Sequence, residues 1–169
     1  MARWIQAIVE LVQRVQAAQR ERDPVAGRTQ TKERPTARRV DHGVRVEYSP
    51  EIDGEADPGE VVWAWVPYQE DPNRGKDRPV VVIGRATGAD VAGDRLVGVP
   101  LTSKKKRRAD HVPVGTGGWD PQGRPSWAKV DRLIEFDGDD VRREGSVLDR
   151  NRFDDVVGNL ARYHDLVRS

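Results

Sequence analysis

Residues 57–84, DPGEVVWAWVPYQEDPNRGKDRPVVVIG, constrain this chain more than any other stretch. Val61 to Val66 is apolar at successive positions and rich in β-branched and aromatic side chains, which predicts a strand buried on both faces. Asp57, Pro58 and Gly59 punctuate its start, and Pro79 to Ile83 is a second such run closed by Gly84. The segment YQEDPNRGKD between them has the turn chemistry of Pro72, Asn73 and Gly75 but is too long for a two-residue hairpin. A polar loop joining two stiff buried strands is a place where function gathers.

The rest of the chain supplies partners for this pair. Residues 95–101 (RLVGVPL) read as a third strand, with Pro100 placing part of it at an edge or bulge. Thr102 and Ser103 end it and lead into the basic run Lys104–Arg108, KKKRR. His111 to Val114 reads as a fourth strand, with His111 exposed, and residues 115–125 as a turn-rich loop exposing Trp119. Ser126 to Phe136 reads as one continuous strand. Its period-two alternation assigns Ala128, Val130, Ile134 and Phe136 to a core face, and Trp127, Lys129, Asp131 and Leu133 to the other. Residues 141–148 read as a shorter strand with a bulge at Gly145. A helix closes the chain over roughly 150–167, its stripe formed by Phe153, Val156, Val157, Leu160, Tyr163 and Val167, with Asp149 or Asn151 as cap. Five or six short strands and one helix predict a mainly β fold, a small curved barrel with a helix packed on it.

The first 45 residues are of another character. Residues 2–22 read as an amphipathic helix, with Trp4, Ile8, Leu11, Val15 and Ala18 on one side. Gln6, Glu10, Gln13 and Arg14 interrupt any apolar run, which argues against a membrane span or a signal peptide. Residues 23–45 have the composition of a flexible basic linker, and the body is expected over 46–169. Apolar residues make up only 36% of the chain and charged residues 34%, consistent with part of it lying outside a compact core. The segment 46–58 is expected to lie extended on the body through Val46, Tyr48 and Ile52.

Net charge is +1, so bulk charge points to no polyanion, but the distribution is uneven. Residues 24–40 carry five bases against one acid, and residues 46–60 carry six acids and no base. The run at 104–108 can track a nucleic-acid backbone or simply be a solvated loop. With no cysteine, disulfides and thiolate ligands are excluded. Three scattered histidines argue against a structural metal, and no cofactor motif is present.

The order PGEVVW, polar loop, RPVVVIG resembles the opening of the MazF/PemK family of toxins, small ribonucleases of bacterial toxin–antitoxin pairs. GVPLTS (98–103), WAKVDRLIEF (127–136) and REGSVLDRNRFDDVV (143–157) are similar to its later segments, so the likeness spans about residues 57–168. The resemblance implies an SH3-like barrel and a cytoplasmic homodimer that cleaves single-stranded RNA and is restrained by an antitoxin. It implies a phosphate contact for Arg78, catalytic partnership for Thr102, and a matching basic–acidic pair at Lys129 and Asp131. Lys129 stands where that pattern has arginine, and lysine places a charge without a bidentate grip.

Metal-free cleavage of RNA needs a base for the 2′-hydroxyl, a proton for the leaving oxygen and cations at phosphorus. Arg78 suits the cationic role, and Asp131, Glu70, Asp71 and His111 are the base candidates. The expected RNA-binding set is Lys104, Lys105, Lys106, Arg107, Arg74 and Lys76, with Trp119 and Trp127 for base stacking. The acidic stretch 46–60 is a candidate for covering the basic groove in cis. Other classes remain open: a binding module of the same fold, like the related CcdB-type inhibitors, that holds RNA or protein uncut, and a scaffold paired through its first helix.

Overall fold

The computed structural model describes residues 38–40, 43–88, 95–141 and 143–168, all within one compact unit. The predicted helix over 2–22 and the greater part of the predicted linker lie outside the described residues. The strands are β1 (Arg38–Arg39), β2 (Gly43–Val46), β3 (Glu60–Pro67), β4 (Gly75–Thr87), β5 (Leu96–Thr102) and β6 (His111–Gly115). They continue with β7 (Ser126–Lys129), β8 (Ile134–Phe136), β9 (Arg143–Val147) and β10 (Leu166–Arg168), and one α-helix, α1, spans Arg150–Leu160. A short 3-10 turn, Gly138–Asp140, separates β8 from β9.

β4 is the spine. Its first half pairs antiparallel with β3, from Pro67↔Gly75 to Val61↔Val81. Its second half pairs with β2, from Val46↔Gly84 to Gly43↔Thr87, while β5 runs along its other edge. β5 also divides its partners, pairing with β8 through Leu96–Gly98 and with β7 through Leu101 and Thr102. Strands that exchange partners midway curl the sheet into a half-barrel, as the mainly β, SH3-like reading requires.

Burial explains the doubly apolar runs. Val61, Val81, Ile83, Val97, Val99 and Leu101 face the main core with α1. Val62, Ala64, Val66, Val80, Val82 and Leu96 face a second cluster with Ile134 and Phe136. The helix contributes Phe153, Val156, Val157 and Leu160, one stripe at 3.6-residue spacing. Asp149 caps it, its carboxylate accepting from the backbone N–H of Asn151 and of Arg152.

Several expectations are corrected. The opening loop is shorter than its polarity suggested, because Gly75–Asp77 belong to β4; Arg78 is therefore inside a strand rather than at its start. The single strand over 126–136 is broken. From Leu101 to Gly98 the partner β5 advances three residues while this chain advances six, from Ala128 to Ile134. The excess forms a turn in which Arg132 N–H bonds the Lys129 carbonyl at 3.2 Å, and Leu133 enters the core instead of the polar face. The closing helix stops at Leu160, after the weak helix formers Gly158 and Asn159. Tyr163 and Val167 are exposed, and Leu166–Arg168 instead add a strand parallel to β2.

At the other end, β2 and the β1 pairing with β8 show that the sheet already includes Arg38–Arg39 and Gly43–Val46, ahead of the expected boundary at 46. Val46 and Tyr48 pack as expected, Tyr48 donating from its hydroxyl to the Leu148 carbonyl at 2.8 Å; Ile52 does not, being 84% exposed. The register shift opposite Val61 and Trp63 falls between Arg143 and Ser146 of β9, where the Gly145 bulge was expected.

Candidate nucleic-acid cleft

Five strands contribute to a cleft of about 320 Å³, with Trp63 coming from β3. Lys76, Asp77 and Arg78 come from β4, Thr102 from the end of β5, His111 from the start of β6, and Ser126 and Lys129 from β7. Alternation explains which side chains arrive there. Leu101, Val112, Ala128 and Val130 turn into the main core, so their neighbours Thr102, His111 and Lys129 turn to the opposite face. His111 and Lys129 stand directly opposite each other in the β6–β7 ladder. Lys104 and Lys106 add charge from the basic run.

The cations crowd one another. The Arg78 guanidinium, half-buried, is held below its ordinary value by burial, against an opposing pull from Tyr68. Lys76 is lowered first by the charge of Arg78, then by burial and by Lys104. The repulsion between the two is relieved by an anion placed between them. Thr102 Oγ1 accepts the backbone N–H of Lys104 at 3.1 Å, which leaves its own hydroxyl proton for a second acceptor.

The wall formed by residues 115–126 is fixed by tryptophans. Trp63, half-buried at the cleft, donates from Nε1 to the Trp119 carbonyl at 3.1 Å. Trp119 is 2% exposed and donates from Nε1 to Ser126 Oγ at 3.2 Å. Asp120 beside it receives Arg124 Nε at 2.9 Å and the Gln122 N–H at 2.8 Å. These bonds, Arg124 first, hold its carboxyl below the usual range despite burial.

Of the residues singled out from sequence, Arg78, Thr102, Lys129, His111, Lys76, Lys104 and Lys106 converge on this cleft. Others do not line it. Lys105 and Arg107 are exposed along the run, and Arg74 is exposed in the β3–β4 loop. Trp127 is half-exposed, paired in register with Thr102 and Pro113, with its ring outside the lining. Trp119 is a core residue rather than an exposed stacking platform. Asp131 lies in the turn after β7, away from the lining, with Oδ1 buried and without a hydrogen-bond partner. Glu70 and Asp71 stay in the β3–β4 loop, where Asp71 Oδ1 accepts the Asn73 N–H at 3.0 Å. None of residues 46–60 lines the cleft: Glu47 and Asp57 lie 3.8 and 3.5 Å from Arg85, and Glu60 is buried. Trp63, Asp120, Arg124 and Ser126 were not singled out as site residues. Trp63 owes its place to register, which brings it opposite Pro79, next to Arg78, and which the sequence alone does not display. Among the described residues no cluster of three or more His, Asp or Glu side chains is arranged to hold a metal ion, and no helix is long and apolar enough to cross a membrane.

A family model described as PemK-like, MazF-like toxin of type II toxin–antitoxin system matches residues 57–164, which contain every residue of this cleft. The chain belongs to the PemK/MazF toxin family. Among solved structures, it is similar to the Mycobacterium tuberculosis toxin MazF-mt6, at 18% identity over 64% of this chain and 98% of that one, with a TM-score of 0.46. It is similar to MazF of Deinococcus radiodurans at 22% identity over 69% and 96%, with a TM-score of 0.49. A MazE–MazF complex from the same organism gives 22%, 69% and 96%, and 0.46. No curated protein matches the chain. Within the PemK/MazF fold, the cleft is lined from β3, β4, β5, β6 and β7 and by Lys104 and Lys106 of the KKKRR run.

Proposed function

We propose that this PemK/MazF member is an endoribonuclease toxin that cleaves single-stranded RNA by attack of the 2′-hydroxyl on the adjacent phosphorus. The products carry a 2′,3′-cyclic phosphate and a 5′-hydroxyl. The observation that supports this most is the crowding of Arg78, Lys76 and Lys104 around a cleft that also presents the Thr102 hydroxyl and Lys129. Such a site favours an anion whose charge grows at the transition state, as it does at a pentacoordinate phosphorus. Arg78 stabilises that charge, Thr102 donates a hydrogen bond to a non-bridging oxygen, and Lys129 supplies a further positive contact. Asp131, outside the lining, is assigned no step in this chemistry. Lys104 and Lys106 lead the strand into the cleft. In keeping with the family, the protein works in the cytoplasm as a homodimer, held in check by an antitoxin whose acidic tail occupies the same cleft.

The test is incubation of the pure protein with mixed-sequence single-stranded RNA in EDTA, beside Arg78→Ala. Discrete fragments with cyclic-phosphate ends, reduced by about 100-fold or more in the variant, are expected from the loss of a transition-state cation. RNA that is bound but stays whole would refute cleavage and leave a binding module.

A further inference from the structure

The Asp110–His111 pair at the start of β6 has geometry that packing alone does not require. The His111 side chain is 3% exposed and lines the cleft, and its Nδ1 lies 3.1 Å from Asp110 Oδ1. The same Asp110 oxygen receives Arg108 Nε at 3.0 Å. The backbone locks this turn: His111 N–H bonds the Arg108 carbonyl at 3.2 Å, and Val130 N–H bonds the Asp110 carbonyl at 3.0 Å. Burial alone would push the Asp110 carboxyl up, but the bonds from His111, its own backbone and Arg108 together hold it below the usual range. A carboxylate that stays ionised on Nδ1 fixes the proton there and leaves Nε2 with its lone pair. That nitrogen has no hydrogen-bond partner among the described residues. Directly across the ladder stands Lys129, with Thr102 in the same cleft.

We propose that His111, oriented by Asp110, is the general base of the cleft, taking the proton of the substrate 2′-hydroxyl on Nε2. This assignment rests on the ribonuclease reading above. The 2′-oxygen forms its bond to phosphorus as the bond from phosphorus to the 5′-oxygen breaks. The departing oxygen takes a proton from water in the open cleft, and the imidazolium, neutralised by Asp110, returns its proton to solvent afterwards. Arg78 and Lys129 carry the negative charge in between. Asp110 is a positioning residue: it touches no substrate and acts through the ring.

His111→Asn separates this role from a structural one, because the asparagine amide reaches Asp110 much as Nδ1 does but has no basic nitrogen. Single-turnover cleavage should fall by about 100-fold or more, the usual range for a lost general base. Binding of an RNA with a 2′-deoxy nucleotide at the cut site should stay within about threefold, since no ground-state contact is removed. In His111→Gly, added imidazole should restore part of the rate. The wild-type protein gives a reading independent of any variant: ring nitrogen NMR shifts should show the proton on Nδ1 at neutral pH. Cleavage by His111→Asn within about threefold of wild type, or a proton residing on Nε2, would overturn the assignment while leaving the ribonuclease intact. If the wild-type protein leaves RNA whole, the ribonuclease reading fails and the assignment falls with it.

Discussion

Gly117→Ala tests how the cleft wall is built. A methyl group added at Gly117 would overlap Cζ3, Cη2 and Cε3 of the Trp119 ring. All three are atoms of one rigid indole that is 2% exposed and tied at Nε1 to Ser126 Oγ, so no flexible end can swing aside. The backbone of Gly117 is not in the positive-φ region, so the substitution is a steric test and not a conformational one. Overpacking of this kind costs about 1–3 kcal/mol. For a body of this size, about 4 °C is lost per kcal/mol, which puts the fall in Tm at about 4–12 °C. The residue whose indole is displaced also supplies the backbone carbonyl that accepts from Trp63 Nε1, and it precedes Asp120 in the chain, so RNA cleavage should fall along with stability. Thermal unfolding followed by near-ultraviolet circular dichroism reads the first effect, with the exposed neighbour Thr116→Ala as control. A Tm within about 1 °C of wild type would mean that the Trp119–Gly117 contact does not hold the wall, and the argument would fail.

Truncating Leu160, wholly buried on the core-facing stripe of α1, should cost about 2–5 kcal/mol in urea unfolding, and a loss under about 1 kcal/mol would contradict the helix packing. RNA affinity measured against salt should show a log–log slope that shrinks by about 1.4 when Lys104 and Lys106 are both replaced by alanine. The double alanine variant of Lys105 and Arg107, outside the lining, should change it less; equal effects would argue that the whole run binds. Asp110 and Asp120 both have lowered carboxyl values, so their stabilisation is complete above the ordinary carboxylate range near pH 4 and lost as pH falls through the folded value. Asp120→Asn should therefore lower Tm at neutral pH and flatten the acid limb; an unchanged limb would mean the Arg124 bond has no stabilising effect.

The opening pair of strands was legible because VVWAWV and PVVVI are apolar at successive positions; both faces of Val80–Ile83 are covered, as are Val61, Val62, Ala64 and Val66, while Trp63 and Trp65 stay half-buried. Arg78, Thr102 and Lys129 were legible as a group through the family likeness; their shared cleft is a matter of register, which a single sequence does not display. Failures came where tertiary pairing overrode local pattern. The alternation of 126–136 looked unbroken because Leu133 fits either face, and only the divided pairing of β5 forces the turn. Tyr163 and Val167 matched the helical period, yet residues 166–168 gain more from the free edge of β2. Trp119 sat in a run of glycines and a proline that signals an exposed loop. One of those glycines, Gly117, leaves the room that the indole fills.

The division of labour around β4 has a consequence for how the protein moves. Arg78 belongs to the same continuous strand as Val80–Ile83, whose amides sit between β3, β2 and β5. Freeing that part of the cleft requires opening the sheet itself, so these amides should exchange with solvent at rates set by global unfolding. The opposite rim, from Lys104 to Arg107, is exposed and has no strand pairing, so its exchange belongs to fast local fluctuation. The groups assigned to the chemistry are thus clamped for the life of the fold, while the charges that first meet a flexible strand remain free to follow its shape.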